Sequence, residues 1–245
     1  MNKRPILIQG AMEIECQEIL KQIDNIEEIE IQTYKFFKGT IKNYPIVVSL
    51  SKVGLIQASA SLTIAVNNFQ PTGIINLGIA GATDKQMHIG DIVIGENCIN
   101  INSYRTNSLK ENEGSNPNNW DLLTFLSGEE DRLIKQKANS ELVELTKKIT
   151  INQYGKIYYG TIGSGDVWNK EVDRILYLNK NYHILCEDME SIATYTLANQ
   201  WNIPVISIKM ISDNSLTGEE YNREIGKNLQ SYIAIYLNEL INNLK

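Results

Sequence analysis

Ile184-Leu185-Cys186-Glu187-Asp188-Met189-Glu190-Ser191 runs from an apolar strand through an acidic turn into a helix. Three carboxylates stand within four residues, and at a strand-to-helix handover that crowding costs stability unless the acids meet ligand hydroxyls or protons. Asp188 and Glu190 also sit where first helical turns collect acids against the positive end of the helix dipole. Capping and chemistry are both open here, and the rest of the chain has to separate them.

The same handover recurs at the start of the chain. Pro5-Ile6-Leu7-Ile8-Gln9 is a short apolar run ended by Gly10-Ala11, and Met12, Cys16, Ile19 and Leu20 then repeat at helical spacing. Glu13 and Glu15 fall in that first helical turn, where dipole complementation on a solvated face is the plain reading. The turn also lies at the carboxyl end of a strand, where open α/β sheets place ligands.

Further along, 34–39 and 40–45 read as a hairpin around an Asn-containing turn, followed by a strand over 46–50. A helix over 55–69 carries Ile56, Ser59, Ala60, Thr63, Ile64 and Asn67, which predicts close packing on a face of small residues. Strands follow over 74–82, ending in a Gly-x-x-Gly turn, and over 89–95, extended through 97–104. From 105 to 128 the composition shifts to Asn, Ser, Glu, Gly and Pro, the mark of a long loop that serves as a substrate lid or a mobile insert; Trp120 and Phe125 argue against full disorder. A helix over 129–150, a strand over 157–166, a helix over 190–200, a strand over 205–213 and a helix over 219–244 complete the reading. Alternating strands and helices imply an α/β protein, a three-layer α/β/α sandwich around a mixed twisted sheet, with 1–245 as a single domain.

Composition narrows the function. The 245 residues carry a net charge of -6 with scattered lysines, which gives no footprint for nucleic acid. The apolar run near the amino terminus is too short for a signal peptide and no stretch suits a membrane span, so a cytoplasmic protein is expected. Cys16, Cys98 and Cys186 are widely spaced among apolar neighbours, as reduced buried thiols are; His88 and His183 lack a second ligand at metal-binding spacing. No metal and no cofactor is expected, and no Gly-x-Gly-x-x-Gly or Walker sequence points to a dinucleotide or triphosphate.

Taken together, Gly10-Ala11-Met12-Glu13-Ile14-Glu15, Asn76-Leu77-Gly78-Ile79-Ala80-Gly81, Ile89-Gly90-Asp91-Ile92-Val93, Ser164-Gly165-Asp166, Asp188-Met189-Glu190-Ser191 and Ile211-Ser212-Asp213 resemble the nucleoside phosphorylase/nucleosidase superfamily. They are most similar to its 5'-methylthioadenosine/S-adenosylhomocysteine nucleosidase branch, in motif order and approximate spacing from about residue 5 to 240. The resemblance implies that Glu15 activates the attacking water, Glu190 binds the ribose 2'-hydroxyl and Asp213 protonates the purine at N7. It places Met189 under the ribose, Trp168 against the base and the backbone of Asn169 on the adenine edge. Val53, Ile79, Ala80, Gly81, Val167, Asp188, Lys209, Ser212 and Tyr221 are the further substrate contacts it implies, and a homodimer is the implied assembly.

The chemistry suits those roles. Adenine is a poor anionic leaving group, so a carboxylic acid in a dry site can assist at N7, while an ionised carboxylate stabilises the oxocarbenium-like transition state and another deprotonates water. Trp168 as a core aromatic, Tyr221 as a helix-face residue, Asp166 as the shaper of its own glycine turn and Glu187 as a turn group are the plain alternatives.

The phosphorylases of the superfamily hold phosphate with arginines, yet 10–16 and 74–81 contain no Arg or Lys, and Ile79 replaces a serine. A dianion without bidentate donors is badly desolvated, which favours water as nucleophile over a phosphorylase or a non-catalytic nucleoside-binding protein. Lys209 replaces an arginine and keeps the charge without the fork. Residues 100–131 replace the family segment that shapes the 5'-substituent pocket, partly from a partner subunit.

Overall fold

A computed structural model describes residues 3–122, 135–149 and 155–244. Its strands are β1 Ile6–Gly10, β2 Asp24–Ile31, β3 Tyr34–Ile41, β4 Tyr44–Leu50, β5 Gly73–Ala82, β6 Ile92–Asn100, β7 Tyr104–Arg105, β8 Asp121–Leu122, β9 Lys135–Lys137, β10 Ile157–Ser164, β11 Ile184–Asp188 and β12 Val205–Asp213. Its helices are α1 Glu13–Leu20, α2 Leu55–Phe69, α3 Ser140–Lys147, α4 Val172–Tyr182, α5 Ser191–Gln200 and α6 Ile225–Asn243.

Strand residues alternate between the two faces of the sheet, and that period of two separates the core into layers. Ile6, Ile8, Ile75, Leu77, Ile206, Ile208 and Met210 pack with residues of α1, α3 and α6. Their neighbours Leu7, Ile74, Val205 and Ile211 pack instead with residues of α2 and α5. The result is a mixed ten-stranded sheet, ordered β11-β10-β6-β12-β5-β1-β4-β3-β2 with β9 on β6, between helical layers.

β1 lies parallel to β4 and β5, and β5 parallel to β12, whereas β12 and β6 are antiparallel. β11 also reaches β5, antiparallel, pairing Cys186 with Ala82 and Glu187 with Gly81. Strands β5, β12, β6, β10 and β11 thus close on themselves. The closure draws the carboxyl ends of β5, β11 and β12 to one place.

Several boundaries differ from the sequence reading. The hairpin turns at Lys42 and Asn43, both with positive φ (51° and 61°), so 44–50 is one strand rather than a hairpin arm followed by another. In α2 the buried residues are Ala58, Ser61, Leu62 and Ala65, and the face expected to pack closely is only half-covered: Ser59, Ala60, Thr63 and Ile64 are half-buried while Ile56 is 76% exposed. The helix expected over 129–150 begins only at Ser140, where Asn139 Oδ1 accepts from Leu142 N (3.1 Å); Lys135–Lys137 pairs with β6 instead. Leu133 and Thr150 of that expected helix lie outside the described residues.

The terminal helix starts at Ile225 rather than 219. Asn214 holds the preceding turn, accepting from Leu216 N (3.0 Å) and donating to the carbonyls of Asp84 (2.9 Å) and Met87 (2.7 Å). Helix α4 was not read from the sequence at all. Between 104 and 122 the long loop folds back as the β7–β8 ribbon, with Tyr104 stacked on Trp120 at 4.7 Å and Arg174 of α4 donating to the Pro117 carbonyl (2.8 Å); Phe125 lies outside the described residues. Cys16, Cys98 and Cys186 are free and buried, and no helix among the described residues is long and apolar enough to cross a membrane.

Candidate active site

Glu15 is positioned against two strand glycines that leave no room for a Cβ. A Cβ at Gly10 would stand 2.5 Å from Cys16 Sγ, and one at Gly78 would stand 2.9 Å from Glu15 Oε1 and 3.2 Å from Lys209 Nζ. Glu15 Oε2 accepts from Met12 N (2.8 Å) and Oε1 from Ile79 N (3.1 Å). It does complement the helix start, but on a buried face, 2% exposed, rather than a solvated one. Burial pushes its carboxyl above the ordinary range, opposed by the Lys209 charge and by those backbone N–H groups.

The acidic turn resolves into three separate roles. Asp188 is the acid that caps α5: it accepts from Ser191 N at 3.2 Å and Ser191 Oγ at 2.5 Å, and it pairs with buried Lys209 (2.7 Å). Glu190 occupies the N-cap position without bonding the helix. Its Oε1 instead accepts from Gly54 N (2.9 Å), a backbone with φ of 104° that suits glycine. Burial first, then the neighbouring Asp188 charge, pushes the Glu190 carboxyl up to about 7, with Lys209 pulling the other way. Glu187 lies on the opposite side of the strand end. There Asn169 Nδ2 donates to its Oε1 (3.3 Å), and burial pushes it up to about 7.

Asp213 ends β12 and accepts from Ser212 Oγ (2.7 Å). Gly81 leaves it room, since a Cβ there would meet Asp213 Oδ2 at 3.3 Å. Asp166 serves not its own turn but another helix, its Oδ1 accepting from Leu55 N (2.7 Å) at the start of α2.

These groups converge on a cavity of about 200 Å³ at the carboxyl ends of β1, β5, β11 and β12. Glu15, Glu190 and Asp213 all line it, as do Asp188 and Met189 from the acidic turn. Ile79, Ala80 and Gly81 supply one wall from β5, with Ser212 beside them. Val53, Val167, Trp168, Asn169 and Tyr221 supply the open side. Trp168 is 60% exposed and meets Tyr221 edge-on, ring centroids 5.0 Å apart. Neither aromatic takes its plain alternative: Trp168 is no core residue, and Tyr221 precedes α6 rather than lying on its face.

Lys209 is the exception among the expected contacts. It does not line the cavity but stands behind it, 1% exposed and paired with Asp188. The sequence reading missed Ala11 and Met12, which also line the cavity, and assigned Glu187 to the turn although it too lines the cavity. The strand alternation around Cys186 and Asp188, both buried, could have signalled that Glu187 faces the other way from them.

Comparison with known proteins follows the same outline. A profile of the Phosphorylase superfamily matches residues 5–239. The chain is 30% identical over 236 residues to a 5'-methylthioadenosine/S-adenosylhomocysteine nucleosidase of Staphylococcus carnosus, covering 95% of this chain and 97% of that one. Among solved structures, the Helicobacter pylori 5'-methylthioadenosine/S-adenosylhomocysteine nucleosidase with butyl-thio-DADMe-Immucillin-A superposes with a TM-score of 0.81 at 22% identity, covering 98% and 100% of the two chains. The futalosine hydrolase of Helicobacter pylori superposes with a TM-score of 0.79 at 20% identity, covering 96% and 98%.

Proposed function

The chain belongs to the phosphorylase superfamily, and within it we propose a hydrolase that cleaves the N-glycosidic bond of adenine nucleosides of the 5'-methylthioadenosine/S-adenosylhomocysteine type. The products are adenine and a 5-substituted ribose. One observation carries this reading: Glu15, Glu190 and Asp213, far apart in the chain, line one cavity to which no Arg or Lys among the described residues contributes.

Asp213 gives a proton to N7 as the bond from C1' to N9 breaks and its electron pair passes to the base. Glu190 accepts from the 2'-hydroxyl and stabilises the positive charge that develops at C1'. Glu15 takes a proton from water while the water oxygen bonds to C1'. A phosphate dianion entering instead of water would meet carboxylates without a guanidinium fork, which opposes phosphorolysis.

A small, partly apolar cavity bordered on its open side by Trp168 and Tyr221 suits a purine nucleoside with an apolar 5' substituent. Incubation with 5'-methylthioadenosine, S-adenosylhomocysteine and inosine, with and without phosphate, followed by chromatography of base and sugar, tests the reading. Free ribose product without phosphate is the expected result; ribose-1-phosphate would overturn it, and no release from any nucleoside would favour a binding protein.

A homodimer is part of the proposal. The half-covered α2 face, with exposed Ile56 and half-buried Ala60, Thr63 and Ile64 beside Leu197, has the small and apolar character that a second copy covers. Light scattering should give twice the chain mass, and Ala60→Arg should return it to one.

A further inference from the structure

Among the described residues lining the cavity, Glu187 is the acidic side chain that neither the hydrolytic roles nor the cap of α5 uses. It projects from the end of β11 opposite Gly81, and Asp213 pairs with that same glycine from β12. A glycine without a side chain therefore separates two carboxyl groups facing one cavity. Asn169 orients Glu187: its Oδ1 accepts from Glu171 N (3.1 Å), which turns Nδ2 toward Glu187 Oε1 (3.3 Å). Trp168, next in sequence to that asparagine, forms the aromatic wall, so the oriented carboxyl lies beside the place where a planar base would rest.

Resting on the nucleosidase reading above, we propose that Glu187, steered by Asn169, is a specificity-determining residue that hydrogen-bonds a ring nitrogen of the purine and so sets the preference between 6-amino and 6-oxo bases. In its protonated form the carboxyl donates to an unprotonated ring nitrogen, such as N1 of adenine. In its ionised form it accepts from N1–H of a 6-oxopurine. The two forms favour different bases.

The groups that act on Glu187 are few. Burial raises it to about 7, the Asn169 amide and the Arg174 guanidinium of α4 lower it, and Asp213 of β12 raises it. β5 faces it with Gly81, which does not titrate, and Tyr221 stands in the far wall. Both forms are therefore present near neutrality.

The test is the ratio of kcat/KM for 5'-methylthioadenosine to that for 5'-methylthioinosine across pH. A ratio cancels Glu15 and Glu190, which act at the sugar and treat both substrates alike. For the unaltered protein the ratio should fall about tenfold between about pH 6 and about pH 8, one hydrogen bond gained or lost. Glu187→Gln keeps the volume and should flatten the pH dependence of the ratio. Asn169→Ala removes a bond that favours the ionised form and should move the midpoint to higher pH. A ratio and midpoint unchanged in both variants would overturn the proposal, as would losses that follow thermal stability alone. If the unaltered protein hydrolyses neither nucleoside, the nucleosidase reading fails separately. Quenching of Trp168 fluorescence by adenine and hypoxanthine then reads the same preference, and equal affinities in Glu187→Gln and the unaltered protein would overturn it.

Discussion

Lys209 Nζ lies 2.7 Å from Asp188 Oδ2, and both side chains are 1% exposed. Burial lowers the tendency of this ammonium to keep its proton, but Asp188, Glu190 and Glu15 together outweigh it and hold it above its ordinary value. The lysine thus serves as the fixed positive charge beneath a cavity of acids. Lys209→Met would leave Asp188 buried and unpaired, with an expected loss of about 3–5 kcal/mol in urea denaturation. A loss below about 1 kcal/mol would show that the pair is not what holds the acidic turn.

Glu190→Gln should cost turnover and improve stability together. Its carboxyl is raised to about 7 in the folded protein, so folding favours the protonated form. The stability it contributes is complete below the ordinary carboxylate range and is lost as pH rises through about 7. At about pH 8 the amide, which never ionises, should therefore melt higher, by about 1 kcal/mol, while kcat falls about a thousandfold. Equal losses of activity and stability would instead mark Glu190 as a structural group.

Gly78→Ala tests how closely the strand end fits the acid. The new Cβ would stand 2.9 Å from Glu15 Oε1 and 3.2 Å from Lys209 Nζ, so the carboxylate must move. Activity should drop at least about tenfold, with about 1–3 kcal/mol of destabilisation from the forced shift. An unaffected kcat would mean that the position of Glu15 is not critical.

Trp168→Ala should raise KM about tenfold and leave kcat nearly unchanged, because a stacking wall contributes binding that ground and transition states share. A fall in kcat at constant KM would place the indole nearer the reacting atoms than the Trp168–Tyr221 contact suggests.

What was legible before any coordinates came from local physics. Strand alternation, helical spacing and glycine turns located β1, α1, α2, β5, β10, β11, α5 and β12 closely, since each carries its own periodicity. The acids at or just beyond the ends of β1, β11 and β12 were legible as candidates for the same reason. Where two signals competed, the reading failed: the Asn139 cap overruled apolar spacing that ran through it, the turn held by Asn214 preceded a helix that starts only at Ile225, and α4 was passed over.

Tertiary structure alone could say which partner each acid meets. In the chain, Glu187, Asp188 and Glu190 are three similar carboxylates of one turn. Only the closure of β11 onto β5, the approach of Gly54 from beyond the end of β4 and the buried ammonium on β12 divide them into an acid facing Gly81 and Asn169, a cap paired with Lys209 and an acid held by the Gly54 backbone. A local pattern specifies where a backbone turns; the partner that a side chain meets there comes from other elements of the chain, as far as 136 residues away for Gly54 and Glu190, and no local periodicity encodes that pairing.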